Sequence, residues 1–505
     1  MSILKKLANQ TATYGLSSIL GRFLNYLLVP IYTGVFAPDQ YGISNYFYAL
    51  ISFGTVLFTY GMETAFFRFY QAVEDKPRVF ATTLWSILLS SVLLAGLIFA
   101  FAAPLAKWTN QAGRTLYFQF TAIILAADAI ATIPFAWLRQ QDEAMRFAKL
   151  RLLGIGVNIG LNLLFYILIP YFSKRGLIAP LDSFETTIGQ AGASVRWMFI
   201  ANILSSLVVL PFFAKEFKML RFGFDTKLWR TMLQYAYPLI FMGLAGMINE
   251  TLDRILLKNL IADPTQADYQ IGIYGANYKL SIIITLFIQA FRFAAEPFFF
   301  SQAKSAGEDS KQTNARVMQY FILVCATIFV VVMLYLDIFK YFIRTPEYWQ
   351  GLHVVPILLL ANLFLGAYYN LSIWYKLTDH TKLGALVTAI GAAITLILNY
   401  LWIPHYGYLG SAWATLICYF SMAVISYVLG QKYYPVPYPL RRIFAYLALA
   451  LSIYFISDLL REQVLNTPSV SKAILLLINT VLMGIYALVV FKMEEKEIRK
   501  VLKRI

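Results

Sequence analysis

The chain has 505 residues, 59% of them hydrophobic and only 13% charged, with a mean hydropathy of +0.64. Soluble domains carry about a quarter charged residues, so neither a string of soluble domains nor a disordered chain fits, and a polytopic membrane protein does. The net charge of +16 would suit a nucleic-acid binder, but Lys and Arg fall mostly in short connectors between apolar runs, where they set topology and meet anionic lipid; no nucleic-acid role is expected.

The N-terminus, Met1-Ser2-Ile3-Leu4-Lys5-Lys6, is weakly basic, and no small-residue cleavage site follows its first apolar run, which is read as a retained helix. Apolar windows then predict fourteen spans. The first six cover Thr11–Phe36, Gly42–Phe67, Phe80–Pro104, Thr115–Leu138, Phe147–Tyr171 and Trp197–Ala214. Six more cover Met232–Leu257, Ile271–Gln302, Val317–Phe342, Leu352–Tyr375, Leu383–Pro404 and Tyr408–Gly430, and two close the chain at Ile443–Leu460 and Ala473–Phe491. With the N-terminus inside, cytoplasmic connectors and tails hold 28 Lys/Arg against 11 outside, with Arg22, Lys279 and Arg292 left within spans. This asymmetry favours an even number of crossings and two cytoplasmic termini. The tail Lys492–Ile505 reads as a basic helix at the membrane interface. The longest connector, Phe172 to Arg196, leaves no room for an extramembrane catalytic domain, and there is no phosphate-loop motif.

An internal repeat runs through the first twelve spans. Gly42-Ile43, with Tyr48 and Leu50 behind it, recurs as Gly272-Ile273 with Tyr278 and Leu280; Trp137 and Asn162 recur as Trp374 and Asn399. The offset is nearly constant, so each half holds six helices in the same orientation, related by an axis along the membrane normal. The expected fold is therefore an all-α polytopic membrane protein of fourteen transmembrane helices, two pseudo-symmetric six-helix bundles plus two extra C-terminal helices. The expected division is 1–222, 223–432 and 433–505, the last comprising two accessory helices and the basic tail. Two such bundles can rock about a shared cleft, and Pro30, Pro134, Pro238 and Pro297 inside spans supply helix breaks for that motion.

Ionisable residues inside spans cost about 2.5–3.5 kcal/mol or more at a helix centre, so they normally face protein or water. Arg22 lies deep in the first span, and Arg254 follows Glu250 and Asp253 in the seventh. Lys279, Arg292 and Glu296 lie in the eighth; Glu250 with Arg254, and Arg292 with Glu296, have the i,i+4 spacing of helix ion pairs. Glu63 and Asp128 are carboxylates able to take a proton, hold a cation or neutralise an Arg. Arg68, Arg139, Lys149 and Arg151 read as solvated topology signals at cytoplasmic ends. Arg22, Arg254, Arg292 and Lys279 are thus the candidates for holding an anionic substrate, and Glu63, Asp128, Glu250, Asp253 and Glu296 the candidates for ion coupling. His353, His380 and His405 lack metal-site spacing, no catalytic triad stands out, and Cys325 and Cys418 lie in apolar runs as small hydrophobes. No enzyme activity, metal or cofactor is expected beyond a coupling Na+ or H+.

Several stretches resemble a known family. Pro30-Ile31-Tyr32-Thr33-Gly34-Val35-Phe36 with Gln40-Tyr41-Gly42, and Asp253-Arg254 with Gly272-Ile273-Tyr274, are similar to the polysaccharide-biosynthesis branch of the multidrug/oligosaccharidyl-lipid/polysaccharide exporter superfamily. So is Asn399 followed by Pro404, Tyr406-Gly407, Gly410-Ser411-Ala412 and Ala414-Thr415. The resemblance covers spans one to twelve. It implies an O-antigen or capsule flippase of the bacterial inner membrane, carrying an undecaprenyl-pyrophosphate-linked repeat unit between leaflets by alternating access, driven by a proton or sodium gradient. Polysaccharide polymerase and other assembly proteins are the implied partners. Related lipid II flippases hold the pyrophosphate with arginines on helices one and seven, and Arg22 and Arg254 fall at matching places. A basic residue expected within the second helix is missing, Arg68 lying at that helix's end, which favours a polysaccharide unit over lipid II. The alternatives are a drug or metabolite cation antiporter of the same superfamily, with a less basic cavity, and a membrane glycan polymerase or ligase, which would need a large outer loop.

Overall fold

A computed structural model describes residues 19–177, 194–303, 308–378, 380–465 and 472–502. Among these there are helices and no strands. Thirteen helices are long and apolar enough to cross a membrane, joined by the shorter apolar α1, Ile19–Val35. The chain is an all-α, multi-pass membrane protein.

The helices follow in chain order as α2 (Pro38–Ala72), α3 (Lys76–Ala100), α4 (Thr115–Gln140), α5 (Ala144–Lys174) and α6 (Arg196–Phe222). Next come α7 (Thr226–Leu260), α8 (Pro264–Ala303), α9 (Glu308–Leu334), α10 (Pro346–Tyr375) and α11 (Thr381–Tyr406). α12 (Tyr408–Tyr433), α13 (Leu440–Leu465) and α14 (Lys472–Leu502) complete the fold. The predicted basic tail from Lys492 is helical as far as Leu502, continuous with α14 because no proline interrupts it; residues 503–505 lie outside the described residues. Most of the Phe172–Arg196 connector lies outside the described residues.

Local chemistry sets the ends and breaks. Asp75 and Asp225 cap α3 and α7, their carboxylates accepting from the Arg78 and Leu228 amides at 3.1 and 3.0 Å. α1 is interrupted at Leu27–Leu28 because Pro30 cannot donate to the carbonyl four residues back. α2 is broken at Tyr60–Gly61, both left-handed (φ 32° and 74°), which re-aims the segment Met62–Ala72 carrying Glu63. Pro134, Pro238 and Pro404 lie inside α4, α7 and α11.

Contacts divide the chain into two compact units. The first comprises Met1–Lys279, Arg344–Gly351 and Thr388–Cys418; the second comprises Leu280–Ile343, Leu352–Val387 and Tyr419–Ile505. In the first, α3 packs against α4 around Phe66, Phe80, Leu84 and Ile133, with Met232 and Ala236 of α7 closing the cluster. In the second, α9 packs on α13 and α14, and the buried Glu494 accepts hydrogen bonds from Gln319 (3.1 Å), Tyr320 (3.4 Å) and Tyr446. Asn162 and Asn399, matched in the sequence repeat, each donate an amide to the carbonyl four residues back at 2.8 Å, as Asn259 and Asn277 do.

Candidate functional site

A cavity of about 630 Å³ lies in the first unit, lined by α1, α2, α4, α5 and α6. Five charged side chains meet on its wall: Arg22 from α1, Glu63 from α2, Asp128 and Arg139 from α4, and Arg151 from α5. The Tyr60–Gly61 break brings Glu63 to Arg139 at 3.0 Å, with both side chains partly exposed. Asp128 faces the Ser206 hydroxyl of α6. Arg151 lies over the Phe135 ring at 4.2 Å, and Arg139 over Phe67 at 4.7 Å. Arg22 and Arg151 are exposed to the cavity, and among the described residues neither has a carboxylate within ion-pair distance. Three cations against two carboxylates leave the wall positive. Arg139 and Arg151, read from the sequence as solvated topology signals, belong to this wall because α4 and α5 face each other there. Their position near predicted span ends concealed it.

A second pocket of about 270 Å³ adjoins the first, sharing Asn25, Asn158 and Asn202. Lys279 of α8 reaches it, the one charged residue in its lining. Arg254 is in neither lining. Its guanidinium donates to the Asp253 carboxylate at 3.1 Å and the Glu250 carbonyl at 3.2 Å and lies over Tyr278 at 4.8 Å. Asp253 is buried and Glu250 exposed. Arg292, in the second unit, lies over Tyr369 at 4.3 Å and lines a small pocket of about 160 Å³ with Tyr368 and Asn370. The Glu296 side chain lies outside the described residues. The candidates therefore separate: Arg22, Glu63 and Asp128 share one cavity, Lys279 adjoins it, and Arg254 and Arg292 sit elsewhere.

The end of the first unit where α1 meets α2 and α7 meets α8 is packed shut. α2 and α8 cross at the repeat-related glycines: a Cβ on Gly42 would lie 1.8 Å from the Asp268 carbonyl oxygen, and one on Gly272 1.8 Å from that of Pro38. Only glycine permits that approach. Beside it the buried Asp268 binds Lys258 at 2.7 Å and Arg114 at 2.6 Å, one through each carboxylate oxygen, and Lys258 also donates to the Pro264 carbonyl at 2.9 Å. The first turn of α10 adds Tyr348, whose hydroxyl donates to the Phe36 carbonyl at 2.9 Å. The sequence reading passed over Asp268, Arg114 and Lys258, all near span ends where charge is ordinary. A polar cluster lies on α7, α11 and α12, in which Thr395 donates to Asn249 at 3.3 Å and Ser411 to Asn399 at 2.8 Å; the sequence singled out Asn399 and Ser411 as a motif and left Asn249 and Thr395 unremarked.

Residues 7–303 match the sequence model of the family described as Polysaccharide biosynthesis protein. No curated protein sequence matches the chain. Among solved structures the fold is similar to that of the lipid II flippase MurJ in an inward closed conformation (TM-score 0.69, 16% identity, 96% of this chain and 99% of that one). It is also similar to an inward-facing multidrug resistance MATE family transporter of the MOP superfamily (TM-score 0.60, 15% identity, 84% and 94%). A further MATE, in complex with MaD3S, gives a TM-score of 0.56 at 14% identity over 88% and 96% of the two chains.

Proposed function

Because the chain belongs to the polysaccharide biosynthesis protein family, we propose that it is a flippase for a glycan carried on a polyprenyl pyrophosphate. In this reading it moves the lipid-linked unit from the inner to the outer leaflet of the bacterial cytoplasmic membrane by alternating access, coupled to an ion gradient. The observation that carries it is the positive wall of the 630 Å³ cavity: three arginines face two carboxylates there, and among the described residues neither Arg22 nor Arg151 has a carboxylate within ion-pair distance. Burying such cations without a compensating anion is costly, and a diphosphate offers oxygens that guanidinium forks bind in pairs.

The positive-inside distribution puts both termini in the cytoplasm and the Gly42–Gly272 crossing at the outer face. In this orientation the Gly42–Gly272 crossing would close the outer end of the first unit, leaving a headgroup to enter from the inner leaflet. Glu63 and Asp128 are the ion-coupling candidates within the cavity, where a proton or Na+ would offset their charge as the substrate leaves. Partners would be the lipid-linked glycan and the enzymes that polymerise it. A cation antiporter is the second reading, favoured by Asp128, a cavity carboxylate that among the described residues no arginine pairs within ion-pair distance; it predicts efflux of organic cations that Asp128→Asn abolishes.

Deletion followed by mass spectrometry of lipid extracts tests the proposal. Accumulated polyprenyl-pyrophosphate glycan with loss of surface glycan is expected, and Arg22→Ala should reproduce it with normal membrane insertion. Unchanged surface glycan in the deletion strain would overturn the reading.

A further inference from the structure

The second pocket differs in kind from the cavity it adjoins. Its lining holds Asn25, Asn45, Asn158, Asn202 and Ser44, three tyrosines and the ammonium of Lys279, and no carboxylate. Among the described residues Lys279 makes no hydrogen bond or ion pair, although it lies about 22 Å along α8 from Pro264 at 1.5 Å per residue, deep in the span. The neutral groups are held in place by one another. Asn202 donates to the Tyr48 hydroxyl at 3.1 Å, Asn158 to Asn25 at 3.2 Å, and Asn45 to the Tyr41 carbonyl at 2.9 Å. Gly275 of α8 lets the Asn45 amide come close, since a Cβ there would lie 2.6 Å from it. The pocket ends near the Gly42–Gly272 crossing, with Tyr41 and Ser44 in its lining beside Gly42.

Each carboxamide offers two donors and an acceptor, and each tyrosine a flat face and a hydroxyl. Such a set matches the alternating hydroxyls and C–H faces of a pyranose. A diphosphate needs the opposite: dense positive charge and few acceptors, as on the wall carrying Arg22 and Arg151. One unpaired ammonium among amides recognises one negative charge on an otherwise hydroxylated ligand. We propose that this pocket is a glycan subsite that selects an acidic sugar, with the Lys279 ammonium pairing a sugar carboxylate while the diphosphate stays on the arginine wall. The proposal rests on the flippase reading above and adds the substrate class: a repeat unit bearing a uronic or similar acid.

The test separates the two. Purified full-length protein in detergent is titrated with a short soluble oligosaccharide containing glucuronic acid, with the same oligosaccharide containing glucose, and with inorganic pyrophosphate. Wild type should bind the acidic glycan at least tenfold more tightly than the neutral one. Lys279→Gln should erase that preference and Lys279→Arg retain it, while both keep pyrophosphate binding. Arg22→Ala should weaken pyrophosphate and leave the acid preference intact. Equal affinity of wild type for acidic and neutral glycans overturns the subsite, as does a loss of pyrophosphate binding in Lys279→Gln equal to that in Arg22→Ala. Absence of pyrophosphate binding to wild type, with the acid preference present, would instead sink the flippase reading and spare the pocket's selectivity.

Discussion

Two regions of the first unit use the same residue types to opposite ends. Where α2 crosses α8, Asp268 is 2% exposed and Lys258 1%, and Arg114 completes a triad in which both carboxylate oxygens are engaged at 2.6–2.7 Å. In the cavity, the Glu63–Arg139 pair is 39% and 44% exposed, and among the described residues neither Arg22 nor Arg151 has a carboxylate within ion-pair distance. A charge within a span thus carries no meaning by type. Dry, bidentate compensation makes it a structural latch, and incomplete compensation beside open volume makes it available to a ligand.

The largest effect should follow from Asp268→Asn. It leaves two cations at the crossing with no carboxylate, and removing one partner from a buried ion pair costs about 3–5 kcal/mol. Lys258→Met removes a charge too but leaves Arg114 on Asp268 at 2.6 Å, so it should cost clearly less. Thermal unfolding of the purified protein in detergent checks the order. Equal losses, or the reverse ranking, would mean that the triad is not the unit holding this end.

Next comes the crossing itself. A methyl at Gly42 or Gly272 meets a backbone oxygen that no rotamer change can move, and overpacking typically costs about 1–3 kcal/mol. The two contacts are reciprocal, so Gly42→Ala and Gly272→Ala should behave alike and loosen the closed end. Ser44, buried behind the crossing, is the reporter. Labelling of Ser44→Cys by an impermeant thiol reagent added to intact cells should be slow, and several-fold faster with either alanine present. The native Cys325 and Cys418 are both buried. Unequal responses would deny the pseudo-symmetry.

The sequence made the helices legible because apolar windows act locally, and the span limits hold within a few residues at Thr115, Thr381 and Tyr408. The repeat was legible because Gly42 and Gly272 serve one reciprocal contact. Who pairs with whom was not. Arg254 donates to the Asp253 carboxylate at 3.1 Å, an adjacent residue that helix periodicity does not favour as a partner. Arg139 belongs to the cavity wall because α4 and α5 face each other there, and its pairing with Glu63 depends on a left-handed Tyr60–Gly61 break that hydropathy does not register. Asp268 was passed over because burial at a span end depends on which helices cross there, a tertiary fact.

The smallest stability effect, and the sharpest probe of the cavity, belongs to Glu63→Gln. A pair this exposed contributes at most about 1 kcal/mol, so the melting temperature should hardly move. Transport should respond nonetheless, because the change frees Arg139 and removes a group able to carry a proton or cation. The double variant Glu63→Gln, Arg139→Gln separates those roles. If Glu63 only neutralises Arg139, removing both restores export of surface glycan. If Glu63 couples the ion gradient, export stays low in the double variant and no longer falls when the gradient is collapsed. The coupling reading expects the second result, whereas Asp268, sealed from solvent by its two cations, predicts the converse pattern: a large loss of stability with unchanged dependence on the gradient in whatever folded protein remains.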